Sequence, residues 1–387
     1  MANSNIKSIE TFRVPPRWLM VRVETEDGIV GWGEATLEGH VEAVEGAFQD
    51  LRERFVGFDS NQIENIWQLS YRHRFYRGGP VLMSAMSGLD IALWDIKGKR
   101  LGVPVYELLG GKVRDRINVY GWIGGDKPSN VQQMAIERKK QGFTCVKMNA
   151  TEGLGWIDSP SALDGTVERL RLVKEAGVDA GLDFHGRVHK GMAKQLARAL
   201  EPHRPLFIEE PLLPENVDGF KQLANMTTIP IATGERLYTR WDCKPYFEDG
   251  SVDIIQPDIS HAGGISETKR IADLAESYDV GLAPHCPLGP IALAASMHVG
   301  LTKSNFVIQE MSIGMHYNKL AAGGAYDLLS YCKNPEAFKV ENGSIAALTG
   351  SGLGVEVNEE LVREVSKNEG AWRNPVFFGP DGGLREW

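Results

Sequence analysis

Cysteine is scarce in this chain of 387 residues. The four thiols, Cys145, Cys243, Cys286 and Cys332, follow no repeated short spacing. Neither a disulfide framework nor a zinc cluster is expected, and the thiols read as reduced. Long apolar runs are missing too: no stretch reaches the ~18 residues of a membrane span. The opening Met-Ala-Asn-Ser-Asn-Ile-Lys lacks the apolar core of a secretory leader, so the expected location is cytoplasmic. There is no excess of positive charge. Lys and Arg number 42 against 51 Asp and Glu, a net charge of −9, which argues against nucleic acid or an anionic membrane as partner. An anionic small molecule stays open, because a bound cation reverses the local field.

What is present is a soluble-type composition, 42% hydrophobic and 24% charged, long enough for one large domain plus a smaller one. Residues 6–35 alternate as strands, with the turn pair Asp27-Gly28 between the second and third, and predict an antiparallel meander. Apolar spacing of three and four then predicts helices from His40 to Leu109, including one over 84–99. From about Arg116 to Met311 strand and helix alternate. Strands are predicted at 117–122, 144–149, 180–185, 206–209, 229–235, 252–258, 281–285 and 306–310. Eight such signals at a period near 25 residues predict a parallel barrel rather than an open sheet. Beyond Tyr317 the chain turns irregular and Gly-rich; Gly350-Ser-Gly-Leu-Gly354 is read as a loop, not a phosphate cradle.

Three acids stand out. Asp183, Glu209 and Glu235 each close a short apolar run, and 26 residues separate each from the next. That step is about one strand plus one helix. Barrel active sites lie at the C-terminal ends of the strands, so the three carboxylates are placed to meet one hard divalent cation. Side chains two apart on a strand share a face, which pairs Asp183 with His185 and Lys147 with Asn149. Asp258 and His285 end the sixth and seventh strands, where the acid can fix the imidazole tautomer. Glu310 ends the eighth. His185 and His189 stand four apart without a glutamate between them, which is no zinc-protease pattern. His73, His203 and His261 are read as structural or surface groups, and Asp90 and Asp95 as structural hydrogen-bond acceptors on the cap helix.

Several blocks carry a resemblance. They are Val14-Pro-Pro-Arg-Trp18, Phe75-Tyr-Arg-Gly-Gly-Pro80, Ala92-Leu-Trp-Asp-Ile-Lys97, Gly181-Leu-Asp-Phe-His-Gly-Arg187, Leu206-Phe-Ile-Glu-Glu-Pro211, Gln256-Pro-Asp-Ile-Ser-His-Ala-Gly-Gly264 and Ala283-Pro-His-Cys-Pro-Leu-Gly-Pro290. With them the chain resembles the enolase superfamily, in its mandelate racemase/muconate lactonizing branch, and within it the D-galactonate dehydratase family. The resemblance implies an α/β fold: a modified TIM barrel (β/α)7β over 113–316, an α+β capping domain over 1–112, and a C-terminal segment, 317–387, packing back on the cap. It implies one Mg²⁺ per subunit on Asp183, Glu209 and Glu235, His285 as base with Asp258 as its partner, His185 as second catalytic histidine, and Glu310 as the acid that steadies the intermediate. A homo-oligomer is implied as well. Racemases of the branch carry Lys-x-Lys at the end of the second barrel strand. This chain has Lys147-Met-Asn149, which removes one base lysine and fits a dehydratase.

The expected reaction is loss of water from a small sugar acid, D-galactonate, to give 2-dehydro-3-deoxy-D-galactonate. Lys147, Asn149 and Glu310 are the expected substrate contacts. Arg17, Trp18 and the 76–79 loop are candidates for reading the distal hydroxyls. Rival readings are a dehydratase of another sugar acid such as gluconate, an epimerase or racemase, and a noncatalytic sugar-acid binder.

Overall fold

Three antiparallel strands start the chain: β1 (Ile6–Val14), β2 (Trp18–Thr25) and β3 (Val30–Glu34). The computed structural model describes residues 3–73, 75–318 and 326–387. Gly28 takes φ +81° in the turn between β2 and β3, a conformation that costs glycine little. Helices α1 (Val41–Phe55), α2 (Ile63–Arg72) and α3 (Pro80–Leu101) complete the cap. The helix expected over 84–99 is α3. It is apolar around most of its circumference because it is sandwiched between the meander and the barrel. The meander face is so close that a side chain at Gly33 would strike the Gly88 carbonyl.

After a short turn of helix, α4 (Val105–Leu108), the alternating part begins. Its strands are β4 (Arg116–Trp122), β5 (Cys145–Asn149), β6 (Asp179–Asp183), β7 (Ile208–Glu209), β8 (Ile231–Thr233), β9 (Ile254–Ile255), β10 (Gly281–Leu282) and β11 (Gln309–Met311). Between them run α5 (Val131–Lys140), α6 (Asp164–Glu175), α7 (Lys190–Leu200), α8 (Val217–Ala224), α9 (Arg240–Glu248), α10 (Gly264–Glu276) and α11 (Pro290–Thr302). All eight expected strands are present, in the (β/α)7β order. Neighbours pair in parallel from β10 through to β4 and on to β11. The ring closes where Leu282 N–H donates to Asn305 O at 2.8 Å and Val307 N–H donates to Leu282 O at 2.8 Å.

Cap and barrel are joined by buried polar bonds. Asp90 on α3 accepts from Ser266 N–H at 3.0 Å and Ser266 Oγ–H at 2.5 Å on α10. Glu34, ending β3, accepts from the N–H groups of Gly289 (2.8 Å) and Ala292 (3.0 Å) at the start of α11. It supplies acceptors that the first turn of a helix lacks.

The C-terminal segment returns to both parts. Strand β12 (Ser344–Ala346) lies antiparallel to β4. Leu353 N–H donates to Asp95 at 2.9 Å, and the Tyr331 hydroxyl donates to Pro15 O at 2.7 Å. Helix α12 (Glu359–Val365) lies against β1, with Arg363 paired to Glu10 at 3.0 Å. Asp90 and Asp95 thus have the structural roles expected of them. The four cysteines are all free and buried.

Candidate active site

The strand register sets the acids in a row across the barrel mouth. Asn149 pairs with Asp183, and Asp183 with Glu209, so these three positions share one level. Glu209 pairs with Ala232, which leaves Glu235 three residues further along its own chain, beyond the end of β8. Equal steps in sequence therefore do not give equal heights, because barrel strands are tilted and staggered.

Lys147 on β5 reaches into this row. Its Nζ lies 2.6 Å from Glu209 Oε1, 3.1 Å from Glu310 Oε1 and 3.7 Å from Asp183 Oδ2. Gln256 donates to the other Glu209 oxygen at 2.7 Å. Burial, together with repulsion from Asp183, Glu310 and Glu235, outweighs Lys147 and holds the Glu209 carboxyl well above its usual range. Burial lowers the Lys147 pKa, but the surrounding acids outweigh it and the ammonium is held charged. Asn149, one face-step along β5, donates weakly to Gly125 O at 3.3 Å.

His285 lies past the end of β10. Its Nδ1 donates to Asp258 Oδ2 at 2.8 Å, and its Nε2 lies 2.7 Å from Glu235 Oε2 and 3.9 Å from Glu310 Oε2. Burial lowers its pKa, but Glu235, Glu310 and Asp258 outweigh burial and hold the imidazole well above its ordinary range. Glu310 is fixed by the Cys286 N–H, which donates to Oε2 at 2.8 Å.

His185 reaches the mouth by a different route from the one its spacing suggests. β6 ends at Asp183, and His185 sits in the following turn with φ +56°. The Asp183 carboxylate accepts from the His185 N–H at 2.8 Å and holds that turn, and the ring Nδ1 lies 3.4 Å from Asp183. His185 and His285 follow β6 and β10, which lie four places apart in an eight-strand ring. They approach the cavity from opposite sides.

The cavity has a volume of about 300 Å³, and its walls include Lys147, Asn149, Asp183, Glu235, Glu310 and both histidines. Glu209 is fully buried and not part of the wall. Among the cap candidates Arg17 reaches the cavity. Trp18 does not: it is core, 1% exposed and edge-on to Tyr331 at 5.8 Å. Tyr76 is 84% exposed and Gly78–Gly79 do not line the cavity, although Pro80 beside them does.

His261 is also placed differently from expectation. It lines the cavity, 3.4 Å from Glu38 and 3.9 Å from Asp258. Burial lowers its pKa, but Asp258 and Glu38 outweigh it and push it up to about 9. Burial raises Glu38, but His261 and Arg17 outweigh that and hold the carboxyl at about 2. The position of His261 three residues after Asp258 was the one available signal. Glu38, Asp126, Tyr317, Asn374 and Trp387 also line the cavity, and no motif marked them.

Among the described residues one set has its ligand atoms already gathered, and a second is marked by its donor chemistry. Asp258, His261 and His285 bring one ligand atom each within 4.8 Å of one another. Asp183, Glu209 and Glu235 offer oxygen donors only, at three consecutive strand ends, under mutual repulsion that a divalent ion relieves. The all-oxygen set has the donor chemistry of Mg²⁺. In the mixed set two of the three donors are imidazoles, which suit a softer ion than Mg²⁺.

Residues 8–110 match the mandelate racemase/muconate lactonizing enzyme N-terminal domain family, and residues 130–361 match the enolase C-terminal domain-like family. The chain belongs to the enolase superfamily, in its mandelate racemase/muconate lactonizing branch. It is 52% identical over 385 residues to a D-galactonate dehydratase of Pectobacterium atrosepticum, covering 99% of this chain and 100% of the relative. A D-galactonate dehydratase of Variovorax paradoxus is 50% identical over the same coverage. Among solved structures, a member of the enolase superfamily from Salmonella Typhimurium superposes with TM-score 0.83 at 31% identity, covering 93% of this chain and 98% of the other. A mandelate racemase/muconate lactonizing enzyme from Sulfitobacter sp. gives TM-score 0.84 at 29% identity, covering 97% and 100%.

Proposed function

We propose that this chain is a Mg²⁺-dependent hydro-lyase that converts D-galactonate to 2-dehydro-3-deoxy-D-galactonate and water. The observation that carries the reading is a pair of imidazoles in one acid-lined cavity, following strands four places apart in the ring. His285 is held by Asp258 at 2.8 Å, and His185 is held by Asp183. The full-length relatives named D-galactonate dehydratase point to the substrate.

The C2 proton of an aldonate is barely acidic, because its removal places a second negative charge beside the carboxylate. A Mg²⁺ held by Asp183, Glu209 and Glu235 would supply Lewis-acid charge to stabilise that anion. His285 removes the C2 proton through Nε2, with Asp258 setting the tautomer; a cation on Glu235 would draw off the carboxylate that otherwise lies 2.7 Å from that nitrogen. Lys147 holds the substrate carboxylate, with Asn149 beside it on the same face of β5. Glu310 steadies the enediolate from β11, between Lys147 and His285. His185 protonates the 3-hydroxyl as it departs, and the enol tautomerises to the 2-keto acid. Asn149 stands where a racemase would have a second lysine, which favours one-sided proton abstraction.

The same reading takes one Mg²⁺ per subunit, a cytoplasmic setting, a homo-oligomer, and the division into cap 1–112, barrel 113–316 and returning segment 317–387. The test is to strip the protein with EDTA, then titrate Mg²⁺ with D-galactonate and each C6 aldonate stereoisomer while following 2-keto acid. Keto acid from D-galactonate alone, and only with Mg²⁺, is expected. Binding without keto acid would leave a noncatalytic binder, and turnover of a different epimer would replace the substrate.

A further inference from the structure

Trp387 is far in sequence from every group used above, yet it forms part of the cavity wall. The segment that delivers it is a small hairpin, β13 (Phe377–Phe378) against β14 (Leu384–Arg385). Two contacts moor this hairpin beside His185. The Arg187 guanidinium lies over the Phe377 ring, 5.4 Å from its centroid. Arg385 packs on the loop that follows β5, where a Cβ added to Gly153 would lie 3.4 Å from the Arg385 side chain.

The indole then stands edge-on to His185, with centroids 5.5 Å apart and planes at 80°. Behind it, Trp372 lies 6.0 Å away, and Tyr317 lies 5.3 Å beyond Trp372. The Arg17 guanidinium covers both outer rings, 4.3 Å from Tyr317 and 5.0 Å from Trp372. The Trp387 N–H lies towards the Tyr317 phenol without closing a well-aligned bond in the protein. With the N–H turned to Tyr317, what the ring offers the cavity is an apolar surface suited to the C–H face of a polyol chain.

We infer that Trp387 is a substrate-positioning residue for the acid half of the reaction: it walls the His185 side of the cavity and holds the C3 hydroxyl against that imidazole. This rests on the dehydratase reading. His285 lies four strands away and is not touched by the indole, so proton abstraction at C2 is independent of it. The aromatic wall also keeps bulk water from the side on which the leaving hydroxyl is protonated.

The test compares two rates in D₂O with D-galactonate and Mg²⁺: deuterium entering C2 of recovered substrate, and keto acid formed. In Trp387→Ala and Trp387→Leu the ratio of exchange to dehydration should rise at least about tenfold, part of the roughly 10²–10⁴ that one acid–base group supplies. Trp387→Phe, which keeps a ring edge against His185, should hold that ratio within about threefold of wild type. A purely structural role lowers both rates together and leaves the ratio alone. An unchanged ratio in the Ala and Leu variants, or an equal rise in Trp387→Phe, overturns the inference. Wild-type keto acid formation in the same assay tests the parent reading: its absence sinks both, whereas wild-type turnover with an unchanged ratio sinks this one alone.

Discussion

Asp258 holds His285 from one strand away, carboxylate oxygen to Nδ1 at 2.8 Å, with both groups buried. The contact fixes which nitrogen faces the cavity and stabilises the imidazolium formed when a proton arrives. Asp258→Asn keeps the shape but removes the charge. Turnover and C2 exchange should both fall, by about 10²–10⁴, in a paired deuterium-exchange and keto-acid assay. Loss of dehydration with exchange intact would place the base elsewhere.

The two histidines should separate in the same assay. His285→Asn is expected to abolish C2 exchange along with turnover. His185→Asn should stop dehydration and leave slow exchange at C2. Persistent exchange in His285→Asn would remove it from the role of base.

Metal addition should stabilise the protein by relieving the repulsion that Asp183, Glu310 and Glu235 exert on buried Glu209. For a single site at a hundredfold excess over Kd, the gain is about 2.7 kcal/mol. Thermal unfolding with Mg²⁺, against Na⁺ at equal ionic strength, reads this directly. Glu209→Gln should lose most of the Mg²⁺-specific shift; a full shift in that variant would take the ion away from the trio.

His298, in α11, gives a pH signature away from the mouth. Its Nδ1 accepts from the Tyr106 N–H at 3.2 Å, and burial pushes its pKa down to about 4. Between about pH 6.5 and 4 the unfolded chain binds a proton there that the folded chain does not, so stability falls as pH falls through that window. Glu34 and Asp90, raised by burial to about 7, act in the opposite sense. The difference between wild type and His298→Gln isolates the histidine. Moving from pH 7 to pH 5 should cost wild type about 2 kcal/mol more than the variant in urea unfolding. Equal losses would refute it.

Asp95 joins three pieces of chain, accepting from Trp32 N–H at 2.9 Å, Leu353 N–H at 2.9 Å and Lys99 at 2.6 Å. Asp95→Ala leaves two buried N–H groups unpaired, at about 1–3 kcal/mol each. Denaturant unfolding should show a loss in that range or above; a loss under half a unit would mean that water replaces the carboxylate.

The barrel was legible because each strand is a short apolar run ended by a polar residue, and the period of the units survives their differing loops. The strand-end acids were legible for the same reason. The face rule held for Lys147 and Asn149, which both lie within β5. It gave a correct neighbour for the wrong reason at His185, where a left-handed turn held by Asp183 replaces the strand. The cap half of the site was mostly hidden. Arg17 was found, but Trp18 alternates into the core, and Glu38 and His261 become site residues only when cap and barrel meet. Trp387 could not be placed by pattern, because nothing local links the end of a Gly-rich tail to a barrel mouth.

The clasp of Glu34 on the first turn of α11, together with that of Asp90 on α10, limits how this molecule can breathe. A swing of the whole cap away from the barrel would expose a carboxylate pair and several orphaned amides at one stroke. An opening of the mouth that leaves this seam closed keeps the floor of the site in place as substrate enters and product departs.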